Sequence, residues 1–166
     1  LFRSRVVTLT VTPKDPIMKK LALVLSAAAL SLAPLLARAE TADDAKALLD
    51  QAVALFKAKG RDAAVQEINA GGSWKKGSLY VVVAQYDGHM LAHSANDKMA
   101  GKNMLEAKDA GGKFFVKETI AGVRSKGAAQ IDMRWGNPVT KQIADATMYS
   151  KAVPGLDLYV GSVVFK

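Results

Sequence analysis

One stretch limits the fold of this chain more than any other: residues 79–86, LYVVVAQY. Its β-branched and aromatic residues favour a strand, and it is apolar on both faces as far as Gln85, as a strand covered from both sides has to be. Asp87-Gly88 then signals a tight hairpin, with a short return strand over 90–93. Beyond the hairpin the chain leaves the sheet in a polar excursion carrying Asn96, Gly101, Asn103, Asp109, Gly111 and Gly112. A hairpin that opens into such an arm predicts a small sheet with a pocket between the arm and the sheet.

The flanking segments complete that sheet. Thr41 suits a helix N-cap, and Asp43 and Asp44 place negative charge at the positive end of the helix dipole. Ala45, Leu48, Leu49, Ala52, Val53 and Phe56 recur at helical spacing, which predicts an amphipathic helix over 41–59, ended by Gly60. A short second helix follows over 63–69, and another over 113–126 with Phe114, Phe115, Ile120 and Val123 as its apolar positions. Residues 128–135 alternate, with Ala129, Ile131, Met133 and Trp135 on one face. Strands over 142–153 and 156–165 are joined by a Pro154-Gly155 turn. The predicted fold is α+β: an antiparallel sheet with an N-terminal helix and a helical arm over one face. The N-terminal helix either packs on the sheet or pairs with its twin in a homodimer.

Residues 18–39 read as a leader. Met18-Lys19-Lys20 is a basic start, 21–36 an apolar run of signal-peptide length, and Ala37-Arg38-Ala39 a cleavage site before Glu40. The run is broken by Pro34 and is shorter than the roughly 20 residues a membrane span needs, which favours cleavage over anchoring. Residues 1–17 then lie upstream of the natural start, and 40–166 form one domain. The full chain carries +8, but the leader and upstream segment hold six of its basic groups and one acid. The mature part keeps 17 basic against 14 acidic residues, or +3, scattered singly; that is a solvated surface, with no nucleic-acid footprint. There are no cysteines, so thiolate chemistry, disulfides and c-type haem are excluded. No GxSxG, HExxH, P-loop or dinucleotide fingerprint is present, so no enzyme activity and no cofactor are expected. His89 and His93 are about 13 Å apart on an extended strand, too far for one metal.

The ordered set of residues resembles the single Cache domain of type 2, a PAS-like extracytoplasmic sensor module. The matching pieces are Asp87-Gly88, Leu91-Ala92-His93, Asn96, Gly101-Lys102-Asn103, Lys108-Asp109, Gly112-Lys113 and Phe115-Val116-Lys117-Glu118. They continue with Trp135, Asn137-Pro138, Thr140-Lys141, Tyr149, Val153-Pro154-Gly155 and Asp157 to Ser162. The resemblance implies a five-stranded antiparallel sheet, and a pocket for a small polar metabolite, commonly a short organic acid. It implies a periplasmic or secreted place and a role in signal transduction or chemotaxis beside a membrane receptor or histidine kinase. Two positions depart from the family pattern. Ser94 stands where proline is usual, which predicts a looser loop at His93, and Met133 stands where an aromatic is usual.

On that footing His93 is the leading ligand-binding candidate, because an imidazole at the mouth of an apolar pocket can donate to a carboxylate or carbonyl oxygen. Its alternative is a structural histidine bonded to a backbone carbonyl in the loop. Trp135 and Tyr149, near the ends of adjacent strands, offer aromatic bodies with polar tips toward the arm, or ordinary core packing. Met133 and Phe115 complete the candidate set, although Phe115, like Met104, fits core packing better than a ligand wall. The rival to a small-molecule sensor is an accessory interaction module whose pocket is filled.

Overall fold

The computed structural model describes residues 39–166; the expected leader cleavage and upstream segment concern residues outside that range. Helix α1 (Ala42–Lys59) begins as its sequence predicts. The Thr41 hydroxyl accepts from the Asp44 N–H, and the Asp44 carboxylate accepts from the Thr41 N–H. Gly60 closes α1 and opens α2 (Arg61–Asn69). A single 3-10 turn, Gly72–Trp74, leads into β1 (Lys75–Lys76). The hairpin follows as β2 (Leu79–Gln85) and β3 (Met90–His93). After the arm come α3 (Phe115–Lys126), β4 (Ala128–Gly136), β5 (Ile143–Ala152) and β6 (Leu158–Phe165). No helix among the described residues is long and apolar enough to cross a membrane.

The sheet is antiparallel throughout, in the order β2-β6-β5-β4. Both β1 and β3 pair with the free edge of β2, so the two-residue β1 is a sixth strand added to the five expected. β2 and β6 are central and buried almost end to end, which is why both read as continuous apolar runs. Even-numbered β2 residues and odd-numbered β6 residues share one face.

Two cores result. On one face the stripe Ala45, Leu48, Leu49, Ala52 and Phe56 of α1 packs with Val81, Val83, Leu158 and Val160. The stripe is buried within the domain itself. On the other face Phe115, Val116, Ile120 and Val123 of α3 pack with Val82, Met148, Tyr159 and Val163. The segment between β3 and α3 crosses this second face. It holds one 3-10 turn, Asp97–Met99, and is otherwise a chain of bends broken by Gly101, Gly111 and Gly112, so the helix of the expected arm is α3.

Candidate functional site

The arm and the end of β4 enclose an open cleft of about 850 Å³. Its floor is aromatic. Tyr80 comes from β2, His93 from the end of β3 and Trp135 from the end of β4. The His93 and Tyr80 rings stack at 4.7 Å with 18° between planes, and Trp135 packs at 4.9 Å against Phe115. The rim is basic, with Lys98 and Lys108 from the arm, Arg134 from β4 and Lys141 from the β4–β5 turn.

His93 is held by its surroundings on three sides. Its backbone N–H donates to Asn69 Oδ1 at the end of α2, and its Nδ1 accepts from the Ala95 N–H at 3.3 Å. An acceptor at Nδ1 leaves the proton of a neutral ring on Nε2. Burial drives the imidazole pKa down to about 4, only partly offset by a backbone hydrogen bond, so the ring is neutral at pH 7. Nε2–H has no partner among the described residues, and neither do the Tyr80 hydroxyl and the Trp135 indole N–H. Burial also raises the Tyr80 pKa, which keeps its hydroxyl protonated as a donor. The cleft is therefore lined by three residues with unpartnered donors, and its rim carries four cations, of which Arg134 is paired with Asp145 at 3.6 Å. The single acid in its lining, Asp109, is engaged elsewhere: its carboxylate accepts from the N–H groups of Gly111, Lys113 and Arg134. Lys98 has no counter-ion among the described residues.

Behind the aromatic floor lies a second, smaller chamber of about 30 Å³, which shares Tyr80, His93, Met99 and Trp135 with the cleft. Phe115 and Met133 line this chamber and not the open cleft; both are buried. Four of the five expected residues thus gather around one partition. Tyr149 does not. It is paired with Gln130 and Ser162 and faces α1, with the Lys46 ammonium 5.5 Å from its ring centre. The reason is register: Trp135 sits opposite Ala144, so the even-numbered residues of β5 face the arm and Tyr149 is one position out. Tyr80 and the basic rim escaped the sequence reading. An apolar strand hides which way Tyr80 points, and the four cations are spread over 44 positions.

The expectation that Ser94 loosens the loop at His93 is overturned. Ser94 is buried, its N–H donates to Val81 O at 2.9 Å, and its hydroxyl accepts from Val81 N–H and donates to Trp74 O. It joins β1 and β3 along the edge of β2. A proline there would lack both the donor and the hydroxyl. Ser94→Ala leaves the buried Val81 N–H and Trp74 carbonyl unpaired and is expected to cost about 1–3 kcal/mol, measured by denaturant unfolding. An unchanged unfolding midpoint would refute the joint. His89, the other histidine, sits at the hairpin with Nδ1 3.0 Å from the Asp87 carboxylate, and the described residues hold no cluster of three or more His, Asp or Glu placed to bind a metal ion.

The arrangement has known counterparts. The profile of the Single Cache domain 2 family matches residues 39–165. No curated protein sequence matches. Among solved structures, the chain is similar to a methyl-accepting chemotaxis protein from Vibrio parahaemolyticus, with TM-score 0.65, 16% identity, and 90% of this chain and 95% of that one covered. It is similar to the periplasmic sensor domain of a chemotaxis protein, with TM-score 0.58, 18% identity and coverage of 90% and 97%. A third counterpart is a Cache chemosensory domain described for its carboxylic acid recognition, with TM-score 0.58, 22% identity and coverage of 93% and 98%. At these identities the likeness is one of fold, the PAS-like α+β sheet. With the profile spanning nearly all of the described residues, the chain belongs to the Single Cache domain 2 family.

Proposed function

We propose that this domain is a non-enzymatic sensor module that captures a small anionic metabolite in the basic cleft and presents the bound state to a signalling partner outside the cytoplasmic membrane. The observation that carries the reading is the floor of three unpartnered donors, Tyr80, neutral His93 and Trp135, beneath a cationic rim. A carboxylate satisfies such donors at once, and a neutral imidazole donates without needing a counter-charge of its own. A leader at 18–39 would deliver the domain to the periplasm or the medium. A membrane receptor or histidine kinase is the partner that fits this family.

Calorimetry against short carboxylates, amino acids and amines tests the proposal, with carboxylates expected to bind. His93→Ala is expected to weaken that binding about 10- to 100-fold, the worth of one charge-assisted hydrogen bond, while unfolding remains cooperative. Unchanged affinity would remove His93 from the site. One observation favours the rival reading of an accessory interaction module: the chamber behind the floor is nearly filled. A folded sample that binds nothing in the panel would decide for the rival.

A further inference from the structure

The smaller chamber has a composition that ordinary packing does not require. Met90, Met99, Met104, Met133 and Met148 all line it, and they are every methionine in residues 39–166; the sixth in the chain is Met18. They come from β3, the arm, β4 and β5, so no single element's periodicity places them together. The remaining wall is apolar or aromatic, and no carboxylate or ammonium enters it. Its 30 Å³ holds about one water, so nothing larger fits as it stands. Methionine is unbranched, has three rotatable bonds and repacks at small cost. A wall of five such residues can open where one of branched residues could not.

One residue of the partition between chamber and cleft is not locked by a ring contact. Of the four residues shared by the two spaces, Tyr80 and His93 stack on each other and Trp135 is packed on Phe115. Met99 ends a single 3-10 turn of the arm, is only half-buried, and makes no such contact. Met99 lines both the cleft that holds the donors and the chamber.

We infer that the ligand is an amphipathic monoanion, a straight-chain carboxylate whose tail passes Met99 and enters the methionine chamber while its head stays in the basic cleft. This rests on the anion-binding reading above and adds the tail. The test is a calorimetric series of sodium acetate, butyrate, hexanoate and octanoate on the folded domain. A methylene moved from water into an apolar site gains up to about fourfold in affinity, so hexanoate is expected to exceed acetate by at least about tenfold after the chamber's opening cost. Acetate binding as well as hexanoate overturns the tail and leaves the anion reading standing. No binding of any member overturns both.

Two variants locate the tail. Met104→Leu with Met148→Leu keeps the volume but stiffens the wall, and the hexanoate-to-acetate ratio is expected to fall toward one. A ratio unchanged in that double variant places the tail elsewhere and refutes the chamber. Should the double variant fail to unfold cooperatively, Met99→Ala, which truncates one of the partition's four residues, decides the same point: the ratio rises if the tail passes there, and an unchanged ratio refutes it.

Discussion

Asp109→Ala is expected to lower the melting temperature by about 10 °C and to remove anion binding from the cleft, because one carboxylate ties the arm to the sheet. Asp109 is 7% exposed. Its Oδ1 accepts from Gly111 N–H at 2.9 Å and Lys113 N–H at 2.8 Å, and its Oδ2 from Arg134 N–H at 2.8 Å. The first two bonds shape the end of the arm. The third crosses to β4, whose backbone also receives the arm through Ala110 N–H on Arg134 O. Alanine leaves three N–H groups without their acceptor, and about 2–4 kcal/mol is the expected loss. Lys108, Ala110 and Arg134 all line the cleft, so its rim loses shape along with the fold's stability. Asp109→Asn keeps one acceptor oxygen and should fall between. A variant melting within about 2 °C of the parent would show that the backbone contacts alone hold the arm.

The same carboxylate gives the effect a pH signature. Burial pushes the Asp109 pKa up, but the three N–H bonds and the nearby Lys113 charge together outweigh it and hold the group below the usual carboxylate range. A folded pKa below the unfolded value means that ionised Asp109 stabilises the domain fully above the unfolded value of about 3.9. That contribution is lost as pH falls through the lower folded value. Parent and Asp109→Ala melting temperatures should therefore differ most near neutrality and converge in acid. A gap that stays constant down to pH 2 would contradict the assignment.

Local rules account for much of the fold, and distant pairings for what they miss. The Thr41 cap, the α1 stripe, the Asp87-Gly88 turn and the doubly apolar β2 each depend on residues close in sequence, and each is read directly from the chain. Tyr149 fails because its facing depends on how Trp135 registers with Ala144 across the β4–β5 turn, a one-residue matter that alternation alone leaves open. Ser94 fails for a related reason: its partners, Trp74 and Val81, lie 20 and 13 residues away. Within the site, His93 and Trp135 stand out by chemistry. The methionines do not, since each looks like a lone gap-filler until the topology brings all five to one chamber.

Gly88→Ala is the second substitution expected to act strongly, because the arm folds back against the hairpin tip there. Gly88 has φ +90°, and a Cβ on it would stand 2.6 Å from Leu105 Cβ, 2.8 Å from Leu105 N and 2.9 Å from Asn103 Oδ1. The arm is fastened at this point by Met104 N–H on Gly88 O at 2.8 Å and by Asn103 Nδ2 on Asp87 O at 3.1 Å. Two costs add: left-handed backbone strain of about 1 kcal/mol, and displacement of a backbone segment with nowhere to go, for a total of about 3 kcal/mol or more. Gly101 separates them. It has φ +81° with nothing within 4 Å of its would-be Cβ, so Gly101→Ala carries the backbone term alone. The difference between the two melting temperatures then measures how tightly the arm is seated. Met104 is next to the displaced residues and lines the chamber, so Gly88→Ala should also bind an apolar dye such as ANS below its melting transition, while Gly101→Ala should not. Equal melting temperatures and equal dye binding in the two variants would mean that the arm does not depend on the hairpin tip.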